Sequence, residues 1–365
     1  MPVILGIESS CDETSVALVA DGRVVLANII ATQHDLHAKY GGVVPEIASR
    51  AHLERILPVL DEALATAHLR LRDLDAVAVG NRPGLIGSLL VGVSAAKALA
   101  WALDRPLVGV DHVQAHLYAS CLQEPTTRPD QKTEIIDPRS LFPALGLVVS
   151  GGHSSLYHVE AATRMRLLGR TIDDAVGEAY DKAAVILYLG YPGGPKLDKL
   201  AQTGDPRKID LPKSLLDRDS LDFSFSGLKT ALLYKVRGFP KGRGPAATFE
   251  RSGADLTPQE QADYAAAFQD TAIGILMTKL QRALEVMTRQ GTPARAILIG
   301  GGVSANSLLR RRVAELGQAR KLHVGIPKMS YCLDNAAMIA GLAHEDFLHH
   351  RFDDLNLPAV ATMAQ

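Results

Sequence analysis

The feature that most constrains the fold is an internal repeat. Leu5-Gly-Ile-Glu-Ser-Ser-Cys-Asp-Glu-Thr-Ser-Val16 lies on Leu145-Gly-Leu-Val-Val-Ser-Gly-Gly-His-Ser-Ser-Leu156 without a gap. Leucine, glycine, an aliphatic, Ser10/Ser150 and Ser15/Ser155 coincide. Later, Ala76-Val-Ala-Val-Gly80 is echoed by Ala296-Ile-Leu-Ile-Gly300, each ahead of a glycine loop and a helical stretch. Two echoes in one order predict a duplicated domain with a cleft between the copies. The first copy opens with a strand, Val3-Ile-Leu-Gly-Ile7, a tight polar segment, and a second strand, Ser15-Val-Ala-Leu-Val19; Asp21-Gly22 turns into a third over 23–30. Pro45 starts a helix with Ile47, Ala51, Ile56, Leu57, Leu60 and Leu64 on its apolar side, and a buried strand at 75–80 leads through a Gly/Pro loop to a helix over 88–103. Such alternation means an α/β fold.

A chain of 365 residues, 47% of them hydrophobic, can fill two cores. Its net charge of −1 excludes a polycation that grips nucleic acid indiscriminately, so any such contact must use local patches. Three cysteines, Cys11, Cys121 and Cys332, lack CxxC spacing, and an odd number argues against a disulfide framework. No basic leader opens the chain and no run approaches about 18 uncharged apolar residues, so the expectation is a soluble, cytoplasmic protein with no membrane contact. Residues 123–143 and 237–260, rich in proline or glycine, read as surface excursions.

Candidate chemistry concentrates at Asp111-His-Val-Gln-Ala-His116. A short apolar run precedes it and a helical stretch follows, so Asp111 is the expected helix N-cap. His112 and His116, four apart, share one helix face and can reach one cation; the positive helix end is expected to keep both neutral, as ligands must be. Asp334, near the start of another helix, is either the third ligand or a simple N-cap. Two histidines and one carboxylate with open positions suit Fe(II), or Zn(II) as a Lewis acid.

Three glycine turns are candidates for a nucleotide: Ser150-Gly-Gly-His153, Tyr191-Pro-Gly-Gly194 and Gly300-Gly-Gly-Val-Ser-Ala-Asn306. Asn306 brings a side-chain amide. None is a Walker A loop, and no GxGxxG follows the first strand. Residues 172–182 are dense in carboxylates at helical spacing; Glu178 and Lys182 would pair at i,i+4, while Asp181, or Asp198 beyond Gly194, would accept hydrogen bonds from a ribose or hydroxyl. Leu221-Asp-Phe-Ser-Phe-Ser-Gly-Leu-Lys-Thr230 is either a substrate rim or a half-buried loop.

Gly6-Ile-Glu-Ser-Ser-Cys-Asp-Glu-Thr14, Tyr40-Gly-Gly-Val-Val-Pro-Glu46, the His pair, Ser150-Gly-Gly-His153, Tyr191-Pro-Gly-Gly194, Asp222-Phe-Ser-Phe-Ser-Gly-Leu-Lys229 and Gly301-Gly-Val-Ser-Ala-Asn306 together resemble the bacterial tRNA N6-adenosine threonylcarbamoyltransferase family, over about residues 3–345. The resemblance implies a duplicated actin/Hsp70/sugar-kinase-like ATPase fold, with two related domains around a nucleotide cleft. One is expected over 1–122 plus about 325–365 and the other over 144–324, separated by a proline-rich insertion at 123–143. It implies transfer of threonylcarbamoyl from threonylcarbamoyl-adenylate to N6 of the adenosine beside the anticodon, in tRNAs reading codons that start with A. His112, His116 and Asp334 would ligate one divalent metal, Fe(II) in the family. Val148, Val149, Ser150, Gly151 and Gly152 would line the adenylate site, where ATP or ADP analogues would also bind. Asp181, Gly194, Asp198 and Asn306 would contact the threonylcarbamoyl or nucleotide parts, and Asp12 and Glu13 would form part of the catalytic cleft. The implied partners are tRNA, a paralogous pseudo-enzyme subunit and a small ATPase subunit. The chain departs from the family at Asn81-Arg-Pro-Gly84, where Gly-Pro-Gly is usual, and at Ala115, usually glycine.

Rival functions are an ATPase or small-molecule kinase of the same fold, which predicts Mg-dependent ATP turnover, and a nucleotide-regulated scaffold without chemistry. A peptidase is disfavoured because Val113 and Gln114 offer no general base between the histidines. Arg310-Arg-Arg312, Arg320-Lys321 and the Lys235, Arg237, Lys241, Arg243 group are candidate tRNA-phosphate contacts.

Overall fold

The structure, a computed structural model, describes residues 1–362 apart from 41, 126–137, 191, 218 and 243–247. Most of the proline-rich insertion, Tyr191, Gly41 and Arg243 therefore lie outside the described residues. The chain forms two compact units: Met1–Ser140 with Ala161–Met165 and Pro327–Gln365, and Leu141–Glu160 with Arg166–Ile326.

The first unit is built on the sheet β3-β2-β1-β4-β5, with β1 (Val3–Glu8), β2 (Glu13–Ala20), β3 (Val24–Thr32), β4 (Ala76–Arg82) and β5 (Leu107–Asp111). β1 and β2 are antiparallel, whereas β1 pairs β4, and β4 pairs β5, in parallel. Every residue of β2 is buried, the near-continuous pattern of a strand covered on both faces. Helices α2 (Pro45–Ala67) and α10 (Ala336–Leu348) both pack against it. The unit also holds α1 (His34–Ala38), α3 (Ile86–Leu103) and α4 (His112–Tyr118). Pro45 stands in the first turn of α2, where its missing N–H costs nothing.

The second unit repeats the plan as β10-β9-β6-β7-β8, with β6 (Ala144–Val149), β7 (Ser154–Ala161), β8 (Arg164–Arg170), β9 (Ala296–Gly300) and β10 (His323–Gly325). The gap-free alignment carries over into pairing register. Leu5 faces Leu18 and Leu145 faces His158; Leu5 lies beside Val77 and Leu145 beside Ile297. Around this sheet lie α5 (Val176–Ile186), α6 (Gly193–Ala201), α7 (Ser226–Arg237), α8 (Pro258–Arg289) and α9 (Ser307–Arg320). α8 starts at a capping box between Thr257 and Glu260 and places Phe268, Leu276 and Leu280 in the core, with Phe223 and Phe225.

Two expectations are corrected. Leu57 belongs to the outer face of α2, 64% exposed, and forms an i,i+4 row with Leu53 at 65%; the buried face is Ala51, Ile56, Val59, Leu60 and Ala63. α3, 18 residues broken by Lys97, is apolar enough by length and composition to cross a membrane, but its Leu89, Val93 and Ala96 are buried and it packs on β4 and α2. Asp334 is not a helix cap: Asn335 takes that role for α10, accepting from Met338 N–H. Phe223 and Phe225 are wholly buried with stacked rings 6.1 Å apart, so the segment leading into α7 is anchored in the core.

Candidate metal centre and nucleotide loops

Asp111 ends β5 and caps α4, its Oδ1 accepting from the N–H groups of Val113 and Gln114 at 2.9 and 3.1 Å. The cap fixes where the helix begins, which makes His112 its first residue and places His116 one turn on. Their rings meet edge to face with centroids 4.6 Å apart. Asp334, just ahead of α10, brings Oδ1 to 3.5 Å from His112 Nε2 and 3.1 Å from His116 Nε2. The three ligand atoms lie within 4.8 Å of one another, and the 3.5 and 3.1 Å from Asp334 Oδ1 to the two ring nitrogens are separations that an ion bound at about 2.0–2.2 Å from each can span. His116 is wholly buried, yet neither ring nitrogen makes a hydrogen bond of good geometry. An unsatisfied buried imidazole is costly, and a metal at the convergence point would satisfy it; the residues fit the ion.

Behind His112 stands Glu8, fully buried at the end of β1, with Oε2 3.0 Å from Nδ1. Its other oxygen accepts the Ser10 N–H at 2.6 Å, and Ser10 Oγ lies 3.2 Å from the same Nδ1. This is the carboxylate–histidine arrangement that orients a ligand ring. A Cβ on Gly80 would come 2.6 Å from Glu8 Oε2, so glycine there makes room for the carboxylate. Burial lowers the basicity of both imidazoles. In His112 the Glu8 and Asp334 carboxylates outweigh that and hold its pKa well above the usual value, whereas in His116 burial prevails and the pKa is lowered. Burial pushes the Asp334 carboxyl up, but the two imidazoles outweigh it and hold it well below the ordinary range.

Asp12 and Glu13, at the start of β2, are buried and form a second group with His34, their ligand atoms within 4.8 Å of one another. His34 Nε2 lies 3.4 Å from Glu13 Oε1. Burial, opposed by His34 and reinforced by Asp334 and Asp12, pushes the Glu13 carboxyl up to about 8. The segment is braced by His52, which reaches Cys11 O at 3.0 Å and Thr14 Oγ1 at 2.8 Å.

In the second unit, Val148 and Val149 are buried at the end of β6, and the Ser150–His153 turn closes on itself: Ser150 N–H donates to His153 O at 2.8 Å and His153 N–H to Ser150 Oγ at 3.1 Å. Gly151 and Gly152 are exposed, and a Cβ on either would meet nothing within 4 Å. Gly301, at φ +88°, lies so close to Val149 O that a Cβ would come within 2.4 Å, which sets the third glycine loop against the end of β6.

Asp181 Oδ1 accepts from Gly193 N–H at 2.9 Å and Gly194 N–H at 3.3 Å, holding the start of α6. Asp198 accepts from Ser307 N–H and Oγ at 3.1 and 2.7 Å. Asn306 caps α9 through Leu309 N–H, and its amide donates to Gln269 Oε1 at 2.8 Å. These three, expected to contact ligand, are thus engaged in holding the loops. Asp173 and Asp174, ahead of α5, tie in the 224–229 segment: Asp173 accepts from Ser224 Oγ and Phe225 N–H, and Asp174 pairs with Lys182 and Lys229. The i,i+4 pair of Glu178 and Lys182 forms at 2.7 Å.

Sequence reasoning gave no role to Glu8, Ser10, His34 or His52. Glu8 had a signal, a carboxylate ending an otherwise apolar strand; the histidines, distant in sequence, had none. Several basic residues proposed for tRNA are internally paired: Arg312 with Asp270, Arg320 with Glu285 at 3.7 Å, and Lys241 with Glu250 at 2.9 Å.

Residues 24–341 match the family model described as tRNA N6-adenosine threonylcarbamoyltransferase. Proteins of that name from Symbiobacterium thermophilum and Trichlorobacter lovleyi are 48% and 46% identical to this chain, over 98% and 99% of it and 95% and 96% of their own lengths. Among solved structures, the HypF of T. kodakarensis superposes with a TM-score of 0.53 at 16% identity, covering 98% of this chain and 49% of its own. Component A of the (R)-2-hydroxyglutaryl-CoA dehydratase of Acidaminococcus fermentans gives 0.50 at 14%, covering 95% and 99%. These likenesses establish the duplicated actin/Hsp70-like ATPase fold that the two matching sheets display. With the family motifs in place across nearly the whole chain, it belongs to the tRNA N6-adenosine threonylcarbamoyltransferase family and is an acyltransferase that modifies tRNA.

Proposed function

We propose that the chain moves the threonylcarbamoyl group of threonylcarbamoyl-adenylate onto N6 of the adenosine beside the anticodon, in tRNAs reading codons that start with A, with release of AMP. The observation that carries the reading is the meeting of His112, His116 and Asp334, with both Nε2 atoms converging on Asp334 Oδ1 at 3.5 and 3.1 Å. These residues would hold one divalent ion. Two histidines and one carboxylate with open positions favour Fe(II), with Zn(II) as the alternative; when bound, such an ion supplies Lewis acidity toward an acyl oxygen.

The rest falls to the protein's own groups. Gly151 and Gly152 are exposed, with open space where a Cβ would sit, so their backbone would meet the adenylate phosphate, with Val148, Val149 and Ser150 shaping the floor. Asp181 and Asp198 keep the Gly194 turn and the α9 start in place, and Asn306 pins the loop from Gly301. An acyl adenylate is already activated, so orientation against the amine and stabilisation of the charge growing on the carbonyl oxygen are what remain, one good donor being worth about 3 kcal/mol. Asp12 is the favoured acceptor for the amine proton, with Glu13 beside it.

The two units of the structure are read as the two domains of the fold, near residues 1–122 with 325–365 and 144–324. A paralogous pseudo-enzyme subunit and a small ATPase are the proposed partners. Leu53 and Leu57 on α2, with Ile86 and Leu90 on the adjoining α3, offer rows of exposed apolar residues that support docking of a protein. The place of action is the cytoplasm, where the three free cysteines stay reduced.

The test is mass spectrometry of nucleosides from unmodified tRNA incubated with the chain, its partner subunits and threonylcarbamoyl-adenylate, beside His112→Ala. N6-threonylcarbamoyladenosine formed only with the intact His pair is the expected result. ATP turnover with the adenylate bound and no modified nucleoside would overturn the transferase reading in favour of an ATPase.

A further inference from the structure

We propose that Arg82 is a positioning residue for the metal centre, acting through Asp111 to fix the helix that presents His112 and His116. The inference rests on the metal-site reading above.

It begins with a bulge. β4 and β5 run in register as far as Gly80 beside Val110, then slip so that Arg82, not Asn81, lies beside Asp111. A bulge of this kind re-aims side chains at the end of a strand. Asn81, the extra residue, turns to the C-terminal tail: its carbonyl accepts Val360 N–H at 2.9 Å and its Nδ2 donates to Pro358 O at 3.0 Å. The tail is fastened in turn by buried Leu357 and by Asp353, whose Oδ2 accepts Gly109 N–H at 2.7 Å. The slip is therefore held in place by residues remote in sequence.

Its product is the pair Arg82 Nε to Asp111 Oδ2, 3.5 Å apart. Oδ1 of the same carboxylate caps α4, so the two oxygens have separate tasks. A carboxylate held only through Oδ1 can swing about its last torsion, and the helix start swings with it. Occupying Oδ2 removes that freedom and supplies the countercharge that a nearly buried carboxylate requires. His112 is the next residue in the chain, and His116 follows the helix axis. Arg82 is itself partly exposed and lines a cavity of about 440 Å³ with Asp111, Gln114 and Arg351, so shortening it admits solvent instead of opening a dry void.

The test is a double-mutant cycle read as Zn(II) affinity by chelator competition on the full chain: wild type, Arg82→Gln, Asp111→Asn and the pair, with Arg82→Lys as the conservative variant and thermal unfolding of each apo protein as the folding control. Partners behind metal ligands are typically worth about 10–100-fold in affinity. Arg82→Gln is expected to weaken Zn(II) binding about tenfold, Arg82→Lys to recover part of the loss, and Arg82→Gln to have no further effect in the Asp111→Asn background. Should Arg82→Gln not fold, Arg82→Lys replaces it in the cycle. Affinity within twofold of wild type, or an equal loss in both backgrounds, overturns the role of Arg82 while leaving the metal site standing. Absence of any Zn(II) binding by wild type removes the metal-site reading itself, and this inference with it.

Discussion

A carboxylate buried at the end of an apolar strand is expensive, and Glu8 finds its partners there in His112 and the Ser10 N–H. Glu8→Gln, close to isosteric, removes the charge that orients His112, and metal affinity in chelator competition should fall about 10–100-fold with the fold intact. His116→Ala deletes a ligand outright and should abolish stoichiometric metal uptake, measured by elemental analysis after loading. The histidines and Asp334 were legible because each residue type has few uses at that spacing. Glu8 was not, because its role depends on a neighbour more than a hundred positions away, and Arg82 looked only like an awkward substitution for glycine until the bulge beside it was seen.

Among the elements, the Gly193-Gly194 turn and the start of α9 are held by carboxylates on α5 and α6. Asp181→Ala should free the N-terminal amides of α6 and cost about 1 kcal/mol in urea unfolding, the usual value of a lost cap, and should also weaken adenylate binding in calorimetry. Asp174 makes a prediction about pH. Burial pushes its carboxyl up, but Lys229 and Lys182 outweigh this and leave it below the ordinary value. A depressed carboxyl gives stability that is complete above the unfolded pKa of about 3.9 and is lost as pH falls through the folded one. The gap in unfolding free energy between wild type and Asp174→Asn, about 1 kcal/mol, should hold steady from neutral pH to about 5 and close below about 4. Element boundaries were mostly legible from punctuation such as Pro45. The outward face of α2 was not, because a leucine row that faces solvent has the same spacing as one that faces a core.

For the molecule as a whole, all three proposed metal ligands belong to one unit and all the proposed adenylate loops to the other. A ligand that binds only the folded state stabilises it by mass action, by about 2.7 kcal/mol at a hundredfold excess over Kd. Stripping the metal should therefore raise amide exchange in β1, β5, α4 and α10, and leave β6, β9 and α8 unchanged; equal loosening of both would contradict the assignment. The duplication was legible because a strand, a tight turn and a strand tolerate no insertion without changing register, and the structure shows identical registers in the two copies.

That identity of register makes the two strand–turn–strand junctions, residues 8–15 and 148–155, the same position met twice. One carries Glu8, Asp12 and Glu13; the other carries no carboxylate and two bare glycines. A cation and a phosphate make contradictory demands on a single loop, and a gene that holds the loop in two copies can meet both. Each copy is then free to vary under its own selection, so substitutions that track with one turn among relatives should be silent at the other.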